Sequence, residues 1–541
     1  MYSYDVVVIR NGERLFGKHC TACHNFYHDD LAPELSHMTS RKSFEWIKTF
    51  IQNPAAAIKS GDTTATKLFE EYKTVMPSFS FLNDDDLNAV ISYIHAQHQP
   101  EQVMEAEDTH NIKNPIPDTI ETSGVTVGVK PFAKIPASSD EVPRTRIIKL
   151  DFQPGSNDVY VLDLRGKFYK ISGDSAILFM DMAKLRPFFI QEPGMATGFG
   201  SFAFHPDFVK NGLFYTTHAE APGSGKADFA YGDSILVTLQ WVLTEWKMTP
   251  ETFPFRGNSR ELLRIDMPTT IHGIQEIAFN STAKKSDEDY GLLYLGIGDG
   301  GSTSIGKPLV FDHPAQIWGS IIRIDPSGNN SANRQYGIPQ SNPFAKNADG
   351  RVSKEIYAYG FRNPHRFSWS KAGQLLAVNI GEHNIESVNL IEAGHFYGWP
   401  IREGTFAERF YNHSGRVYPL PANDSMYHVT YPVAQFDHDE GTAISGGFEY
   451  TGSTLETLKG KFIFGDIGTG KLFYIQTNEL KQGRQAKVKR WNVSQNGTPT
   501  TLADLCGNSR VDMRLGVDAR GEMYILTKID GKIYRLVNHG K

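Results

Sequence analysis

The feature that most constrains the fold is the segment Cys20-Thr21-Ala22-Cys23-His24, near the start of the chain. Two thiols at this spacing can bond the two vinyl groups of a haem, and the adjacent imidazole can ligate the iron. All of these groups lie within about one helical turn. The segment therefore predicts a covalently attached haem c, bonded through Cys20 and Cys23 and ligated by His24, which a compact domain must enclose.

Two other uses of these residues stay open on spacing alone. A zinc site would need further ligands, and His19 and His28 are near, although four well-spread ligands are hard to make from them. A thiol–disulfide pair would normally occur in a βαβ context, which the surrounding sequence lacks. If haem is bound, Met76 in Val75-Met76-Pro77-Ser78-Phe79 is the expected sixth ligand of the iron, although a loop methionine can also serve in packing.

Apolar residues recur at helical spacing through the first hundred residues. Phe44, Ile47 and Ile51 would share one face of a helix capped by Ser43. A second amphipathic helix over 84–94 has three aspartates in its first turn, where the helix dipole favours negative charge. These patterns predict a small all-α domain at residues 1–98.

The rest of the chain changes character. Residues 99–144 are polar and proline-rich without sustained periodicity, which predicts a linker. From 145 to 541, short β-rich runs alternate with turns and often return directly, as in 159–171 and 522–536. Because 541 residues exceed what one hydrophobic core usually supports, we expect at least two domains. The recurring hairpins predict an all-β propeller of about 4–8 blades.

Composition narrows the partners and the compartment. A net charge of −6 and the lack of a long basic run give no attraction for nucleic acid. No apolar stretch approaches the ~18 residues of a transmembrane segment. Cys506 has no cysteine partner for a structural disulfide. Because haem attachment to such a site normally happens outside the bacterial cytoplasm, we expect a periplasmic or secreted protein whose export signal is removed or truncated.

Several stretches resemble known families. Gly12 to Gly17 and Met76 to Phe79 resemble class I cytochromes c. Over roughly 145–540, the chain resembles the soluble quinoprotein glucose dehydrogenase and aldose sugar dehydrogenase family, through Phe202-Ala203-Phe204-His205-Pro206-Asp207-Phe208, Gly298-Asp299-Gly300-Gly301, Ile322-Arg323-Ile324-Asp325-Pro326, Tyr359-Gly360-Phe361-Arg362-Asn363-Pro364 and Ser445-Gly446-Gly447-Phe448. This resemblance implies a six-bladed β-propeller that holds pyrroloquinoline quinone (PQQ) with calcium and oxidises the anomeric carbon of a sugar.

The resemblance also implies roles for individual residues. His272 matches the catalytic histidine of the family, and Asp299 matches the carboxylate that orients it. Hydride transfer from an alcohol needs such a base for the hydroxyl proton and cations for the quinone. The expected cofactor-contacting residues are Arg362, Asn363, Arg510 and Lys471.

The chain departs from the family at four places. One of two family arginines that hold the cofactor falls on Asp512, which reverses the charge. The calcium-binding loop at 382–391 lacks the family's Gly-Pro and is shorter. The family lysine falls near Gly468, which makes the nearby Lys471 a substitute, and a glutamine of the substrate pocket falls on Ala196.

The leading hypothesis is a dehydrogenase in which the propeller oxidises a sugar or related alcohol and the fused cytochrome passes the electrons to a downstream acceptor. Fusion would raise the effective concentration of the haem near the quinone. One alternative is a propeller that has lost quinone binding and serves as a carbohydrate- or partner-binding module. Another is a different enzyme on the same fold, because propellers host many chemistries.

Overall fold

The chain forms a helical domain followed by a much larger β domain. The computed structural model describes residues 2–21, 23–26, 29, 32–72, 74–97, 110–192, 196–232, 235–248, 253–310, 313–409 and 415–540. Ala22, His28 and residues 99–109, at the start of the predicted linker, lie outside the described residues. Among the residues that are described, no helix is both long enough and apolar enough to cross a membrane.

The first domain is built from helices. They are α1 Val6–His19, α2 Met38–Arg41, α3 Phe44–Gln52, α4 Pro54–Lys59, α5 Thr63–Tyr72 and α6 Asp84–Ala96. The hydroxyl of Ser43 accepts a hydrogen bond from the N–H of Trp46 at 3.2 Å, which starts α3 as predicted. Asn83 caps α6 in the same manner, so the three aspartates follow in its first turn.

The first and last of these helices cross at a glycine. A Cβ atom on Gly12 would lie 2.0 Å from the carbonyl oxygen of Ala89, so no larger residue allows this approach. Leu15 and Phe16 of α1 pack with Leu87 and other apolar residues of α6 in one buried cluster. This crossing encloses the interior of the small domain.

The second domain is all-β apart from short helical turns. Its strands begin with β1 Thr122–Lys134, β2 Ile147–Phe152, β3 Val159–Asp163, β4 Lys167–Ser172, β5 Ser175–Asp181, β6 Phe199–Phe204, β7 Leu213–Glu220, β8 Leu239–Met248, β9 Gly257–Met267, β10 Ile274–Phe279, β11 Leu293–Ile297, β12 Ser320–Ile324, β13 Ile356–Tyr359 and β14 Arg366–Trp369. They continue with β15 Leu375–Asn379, β16 Ile385–Leu390, β17 Arg402–Glu403, β18 Phe406–Glu408, β19 Val417–Tyr418, β20 Ala434–Asp437, β21 Ile444–Glu449, β22 Lys461–Asp466, β23 Leu472–Gln476, β24 Lys489–Gln495, β25 Thr498–Thr500, β26 Met513–Val517, β27 Met523–Thr527 and β28 Lys532–Val537. The short helices are α7 Met182–Leu185, α8 Phe208–Asn211 and α9 Leu502–Cys506, with 3₁₀ turns at Asp424–Tyr427, Glu456–Leu458 and Thr477–Glu479.

These strands form six blades of a propeller. Four blades are the separate sheets β2–β5, β6–β9, β10–β13 and β14-β15-β16-β20, and the other two are β21–β24 and β26-β27-β28-β1. The innermost strands β2, β6, β10, β14, β21 and β26 contact one another in a closed ring. The predicted hairpins at 159–171 and 522–536 are the pairs β3–β4 and β27–β28. The predicted all-α plus all-β six-bladed architecture is confirmed.

The structure differs from the sequence prediction at the linker. Residues 99–144 were expected to be irregular, yet β1 lies inside this range and completes the last blade. It pairs antiparallel with β28 and parallel with β24, so it joins the last two blades into one sheet. The valines at 125, 127 and 129 alternate as a strand requires, and Val127 and Val129 are buried. The N-terminal strand therefore closes the ring with the C-terminal three.

The centre of the ring holds buried charges that compensate one another. Lys149 of β2 donates to the carboxylate of Glu276 on β10 and to Ser201 Oγ at 3.3 Å. Arg366 of β14 contacts Glu276 Oε2 at 3.3 Å from its Nε. The carboxylate of Glu276 thus bridges two cations, and Ser201 joins them through Lys149, so side chains from four blades are connected around the axis.

Candidate functional site

The segment predicted to hold haem folds into a single turn after α1. The N–H groups of Cys23 and His24 both donate to the carbonyl of Cys20, at 3.1 and 3.0 Å, which gathers the two thiols and the imidazole. The ring nitrogen Nδ1 of His24 lies 2.9 Å from the carbonyl oxygen of Pro33. Because a carbonyl only accepts, Nδ1 carries the proton and Nε2 keeps the lone pair that ligates iron. This geometry fits a haem c.

Met76, the predicted sixth ligand of the haem iron, lies in the helical domain that carries Cys20. It is half-buried and packs, like Cys20, against the cluster of Phe16, Leu87 and their neighbours. Met38 packs on the same cluster and is a second thioether near the site. The three cysteines, all of them described residues, form no disulfide. The placement supports Met76 as the ligand, which stays a prediction.

His272 and Asp299 form a buried pair at one end of the propeller. His272 lies between β9 and β10 with φ of 55°, and Asp299 follows β11. The Nδ1 of His272 lies 2.6 Å from Asp299 Oδ1, and the side chains are 9% and 0% exposed. A Cβ on Gly298 would lie 2.5 Å from the Cβ of His272, so the glycine allows the histidine to lie against β11. The resemblance-based pairing of these two residues therefore exists in the folded protein.

The environment of Asp299 keeps it ionised. Burial alone would raise its pKa, but the charge and hydrogen bond of His272, the guanidinium of Arg362 and the N–H of Gly301 hold the pKa below its usual value. Gly301 N donates to Oδ1 at 2.8 Å, and Trp399 Nε1 donates to Oδ2 at 3.2 Å. The carboxylate therefore accepts the proton on His272 Nδ1, and Nε2 is left as a base.

Arg362 and Asn363, which the resemblance assigns to the cofactor, lie beside this pair. The carbonyl of Arg362 accepts from Asp299 N–H at 2.8 Å, and its guanidinium lies 5.9 Å from the ring centroid of Trp399. One of its terminal nitrogens donates to Gly381 O at 2.6 Å. Asn363 is buried and is fixed through its N–H. The structure thus brings the predicted residues His272, Asp299, Arg362 and Asn363 into one buried group. Trp399 also belongs to this group, and the sequence did not predict it.

Arg510 and Asp512 are paired with each other. The Nε of Arg510 lies 2.9 Å from Asp512 Oδ1. Asp512 stands where the family has its second arginine, and it is bound by Arg510, which matches the first. Burial would raise the pKa of Asp512, but Arg510, Lys528 and Arg514 lower it below its usual value. Asp512 is therefore a carboxylate within a group of cations.

Three further buried basic residues lie near this group, and sequence reasoning missed them. His365 precedes β14, Arg514 belongs to β26 and Lys528 follows β27. Burial, together with the charges of Arg366, Arg514, Lys528 and His272, lowers the pKa of His365 well below its usual value. His365 therefore lies within electrostatic range both of Arg514 and Lys528 in the last blade and of His272. No sequence motif marks these positions, because they come together only when the ring closes.

Lys471 takes another partner. Its ammonium donates to Glu440 O at 2.8 Å and lies 3.6 Å from Glu440 Oε2. The carboxylate of Glu440 also accepts the N–H of Ile120 at 2.8 Å, which connects it to the segment just before β1. Its predicted contact with a cofactor therefore stays a prediction.

At Ala196, which replaces a family glutamine, the carbonyl accepts from the side chain of Gln275 at 3.4 Å. Gln275 belongs to β10, three residues after His272, and its side chain is buried. The side-chain amide of Gln275 is thus present near the position at which the family has its glutamine, but it comes from β10. Sequence comparison by position could not have found it.

The short loop at 382–391 is organised by Glu403. Its Oε1 accepts the N–H groups of four consecutive residues, 382–385, at 2.7 to 3.1 Å. Burial, with the neighbouring carboxylates Glu403 and Glu382, raises the pKa of Glu408 to about 10, so this residue is protonated at neutral pH. In the described part of the chain, no group of three or more His, Cys, Asp or Glu residues could hold a metal ion.

Comparison with known proteins agrees with this architecture. The glucose / sorbosone dehydrogenase family model matches residues 191–535, and the cytochrome c model matches residues 9–97. Among solved structures, the PQQ-bound aldose sugar dehydrogenase from Streptomyces coelicolor is 18% identical, with a TM-score of 0.50, and 77% of this chain covers 99% of that one. The apo aldose sugar dehydrogenase from Escherichia coli is 16% identical, with a TM-score of 0.52, and 76% of this chain covers 99% of it. At these identities the similarity concerns the fold.

Curated relatives include proteins with other names. HIPL1 protein from Arabidopsis thaliana is 26% identical over 63% of this chain and 53% of its own length. Hedgehog-interacting protein from Mus musculus is 24% identical over 71% of this chain and 50% of its own length, so the chain spans about half of these relatives. Because the family model covers more than half of the chain, the protein belongs to the glucose / sorbosone dehydrogenase family and carries a cytochrome c domain before its propeller.

Proposed function

We propose that the propeller oxidises a sugar or a related alcohol with PQQ and that the electrons pass to the fused haem c and then to a downstream acceptor. The observation that carries the proposal is the His272–Asp299 pair at 2.6 Å, which lies beside the buried guanidinium of Arg362. A base held by a carboxylate and a cationic wall are what hydride transfer to a quinone needs. Membership of the family adds support.

The chain's own residues would act in the following way. The substrate hydroxyl donates its proton to Nε2 of His272, and Asp299 stabilises the imidazolium that forms. Arg362 and Asn363 offer donors to the cofactor oxygens, and Trp399 fixes Asp299 from its other oxygen. When bound, PQQ supplies the acceptor for the substrate hydride. The buried setting of this group strengthens each electrostatic interaction.

The haem-bearing helix approaches the same end of the propeller. A Cβ on Gly17, one turn before Cys20, would lie 3.4 Å from Thr238 Oγ1. Thr238 in turn donates to Pro268 O at 2.6 Å, in the segment that leads to His272. This contact supports electron transfer within one chain, to a haem bonded by Cys20 and Cys23 and ligated by His24 and Met76.

Calcium does not fit the loop at 382–391. Calcium needs six to eight oxygen ligands at set distances. The carbonyl of Gly381 accepts from Arg362 and that of Asn384 accepts from the N–H of His438 at 3.2 Å. The N–H groups of the loop face Glu403, so a carboxylate organises a segment that the family resemblance assigns to a cation. We therefore propose quinone binding without calcium, and we expect a chelator to leave it unchanged.

The second candidate is a propeller that binds a carbohydrate or a protein partner without a quinone. The charge reversal at Asp512 favours it, and so do relatives named for hedgehog interaction. The buried cations described above favour the dehydrogenase, because a neutral glycan would not compensate them. Haem attachment also leads us to propose a periplasmic or secreted location.

The deciding experiment uses the haem-loaded full chain. PQQ is added with or without a chelator, a panel of aldoses and related alcohols is supplied, and reduction of the haem is followed by its absorbance. We expect reduction with at least one substrate, its loss in His272→Gln, and an unchanged haem spectrum. His395→Gln, at an exposed histidine paired with Glu392, is the matched control. Failure to bind PQQ, with glycan binding intact, would support the binding module instead.

A further inference from the structure

Arg514 and Lys528 bring two buried cations to the same place from adjacent strands. Met513 of β26 pairs with Thr527 of β27, and the N–H of Lys528 donates to Asp512 O at 3.4 Å. Both side chains belong to residues that are only 5% exposed. Their positions therefore coincide at the end of the last blade, beside His365.

The charges around these two cations do not cancel. The groups that act most on Lys528 are the cations Arg514, Arg146 and Arg510 and the carboxylate of Asp512, and Arg146 is itself 4.0 Å from Glu192. Asp512 is already bound by Arg510 at 2.9 Å. Burial and these cations lower the pKa of Lys528 well below its usual value. Burial and the neighbouring cations thus disfavour the charged form of Lys528, and a further anion beside it would restore that form.

The hydrogen bonds of Arg514 are also incomplete. One terminal nitrogen donates to Met513 O at 2.8 Å, but the buried Nε has no acceptor in the described part of the chain. Burial and the neighbouring Arg366 lower the pKa of Arg514 to about 9. The Nδ1 of His365 is likewise buried without a partner among the described residues. Two buried side-chain nitrogens, one on each residue, thus lack a protein partner in the described part of the chain.

The centre of the ring shows how the same fold treats structural cations. There, Lys149 and Arg366 share the carboxylate of Glu276. Burying a charge costs several kcal/mol unless an opposite charge and hydrogen bonds compensate it. The main carboxylate beside Arg514 and Lys528 is Asp512, which Arg510 already binds, so an anionic ligand would add the compensation that Glu276 gives at the centre of the ring.

We propose that Lys528 and Arg514 bind a carboxylate of the quinone cofactor and replace the cation that the chain lacks at Asp512. This inference rests on the proposed function, and it assigns the polycarboxylate end of the cofactor to the last blade. Lys528 lies outside any motif of the resemblance. The cofactor would thus be held by Arg510, Arg514 and Lys528 against the single negative charge of Asp512.

The test measures binding and not turnover. PQQ is titrated into the haem-loaded full chain, and binding is followed by calorimetry and by quenching of tryptophan fluorescence. Because hydrogen bonds to charged groups are the strong ones, Lys528→Met should weaken PQQ binding by about ten- to a hundredfold. Lys532→Met is the matched control, since Lys532 lies on β28 and pairs with Asp530. Asp512→Asn should tighten binding.

A neutral analogue separates charge recognition from shape. The trimethyl ester of PQQ carries no carboxylate, so Lys528→Met should leave its affinity unchanged. An equal loss for the acid and the ester would overturn the inference, because it would show a change of cavity shape. Unchanged PQQ binding by the variant, with normal binding by the wild type, would also overturn it while the proposed function stands. No PQQ binding by the wild type would overturn both.

Thermal unfolding of the quinone-free protein addresses a purely structural role. If Lys528 served mainly as the partner of Asp512, Lys528→Met would lower the melting temperature in the absence of quinone. We expect it to be unchanged or higher, because the variant removes a buried amine whose charged form its surroundings disfavour. We also expect PQQ to raise the melting temperature of the wild type more than that of the variant. The opposite pattern would assign Lys528 to the fold.

Discussion

Replacing Asp299 with asparagine removes a charge while keeping the shape of the side chain. Asp299 Oδ1 accepts from His272 and Gly301, and Oδ2 accepts from Trp399. All three partners donate, and an amide has only one oxygen. If the amide oxygen of the asparagine faces His272, its NH₂ group faces the indole N–H of Trp399, and two donors meet without an acceptor. If it is flipped, the NH₂ group donates to Nδ1 of His272 and places the ring proton on Nε2, where the base is needed.

The magnitude follows from the geometry. An imidazolium and a carboxylate whose charges lie about 4 Å apart attract by about 4 kcal/mol at an effective dielectric constant of about 20. Because this attraction develops as His272 takes the proton, its loss raises the barrier directly. About 4 kcal/mol corresponds to about a thousandfold in kcat. We therefore expect Asp299→Asn to lower kcat by about that factor.

The assay is single-turnover reduction of the haem by substrate in protein saturated with PQQ. Trp399→Phe is the comparison, because it removes one hydrogen bond to Asp299 and leaves the charge in place. We expect this variant to lose about tenfold or less. If Asp299→Asn kept kcat within about tenfold of the wild type while binding PQQ normally, the carboxylate would not support His272 and the reasoning would be refuted.

Three more outcomes are expected. Met76→Ala should change the haem spectrum and lower the haem potential while PQQ binding stays normal, and an unchanged spectrum would point to another ligand. Glu276→Gln leaves Lys149 and Arg366 buried without a carboxylate, so urea unfolding should show a loss of about 3–5 kcal/mol. Burial raises the pKa of Glu408 to about 10, so the folded protein keeps a proton that the unfolded chain releases, and stability falls as pH rises towards that value. Glu408→Gln should therefore be more stable than the wild type at about pH 8, and urea unfolding should show a smaller difference at about pH 5.

Elements that depend on local pattern were predictable. The cap at Ser43 and the helix 84–94 follow from residues within a few positions of one another, and both agree with the structure. The hairpins at 159–171 and 522–536 were also predicted, because a short turn brings their strands together. Local signals suffice where the partners are neighbours in the chain.

β1 was not predicted, although its valines alternate. Prolines on both sides and Pro131 within the strand made the segment look like a linker. Its partners lie more than 350 residues away, at Arg490 and Val537 for example, and pairing of that kind leaves no local trace. Pro131 is tolerated where the register between β1 and β28 shifts.

The candidate site divides in the same manner. His272 and Asp299 were found through the resemblance, and the hydrogen bond between them supports the assignment. Trp399, which donates to Asp299, and His365, which the charge of His272 influences, were missed, because both belong to another blade. A single sequence without its closed ring gives no reason to place either of them there.

The charge reversal at Asp512 shows why reading a site position by position misjudges it. Alone, the change from a family arginine to a carboxylate removes a cation and argues against binding a polycarboxylate. In the folded protein, Asp512 lies among Arg510, Arg514 and Lys528, which outnumber it. The binding energy of a buried charged ligand depends on the sum of the nearby charges, because each interaction is stronger at a low dielectric constant. The surroundings of Asp512 therefore stay rich in basic groups, and under the proposal above the missing cation would be supplied by other strand positions of the same blade.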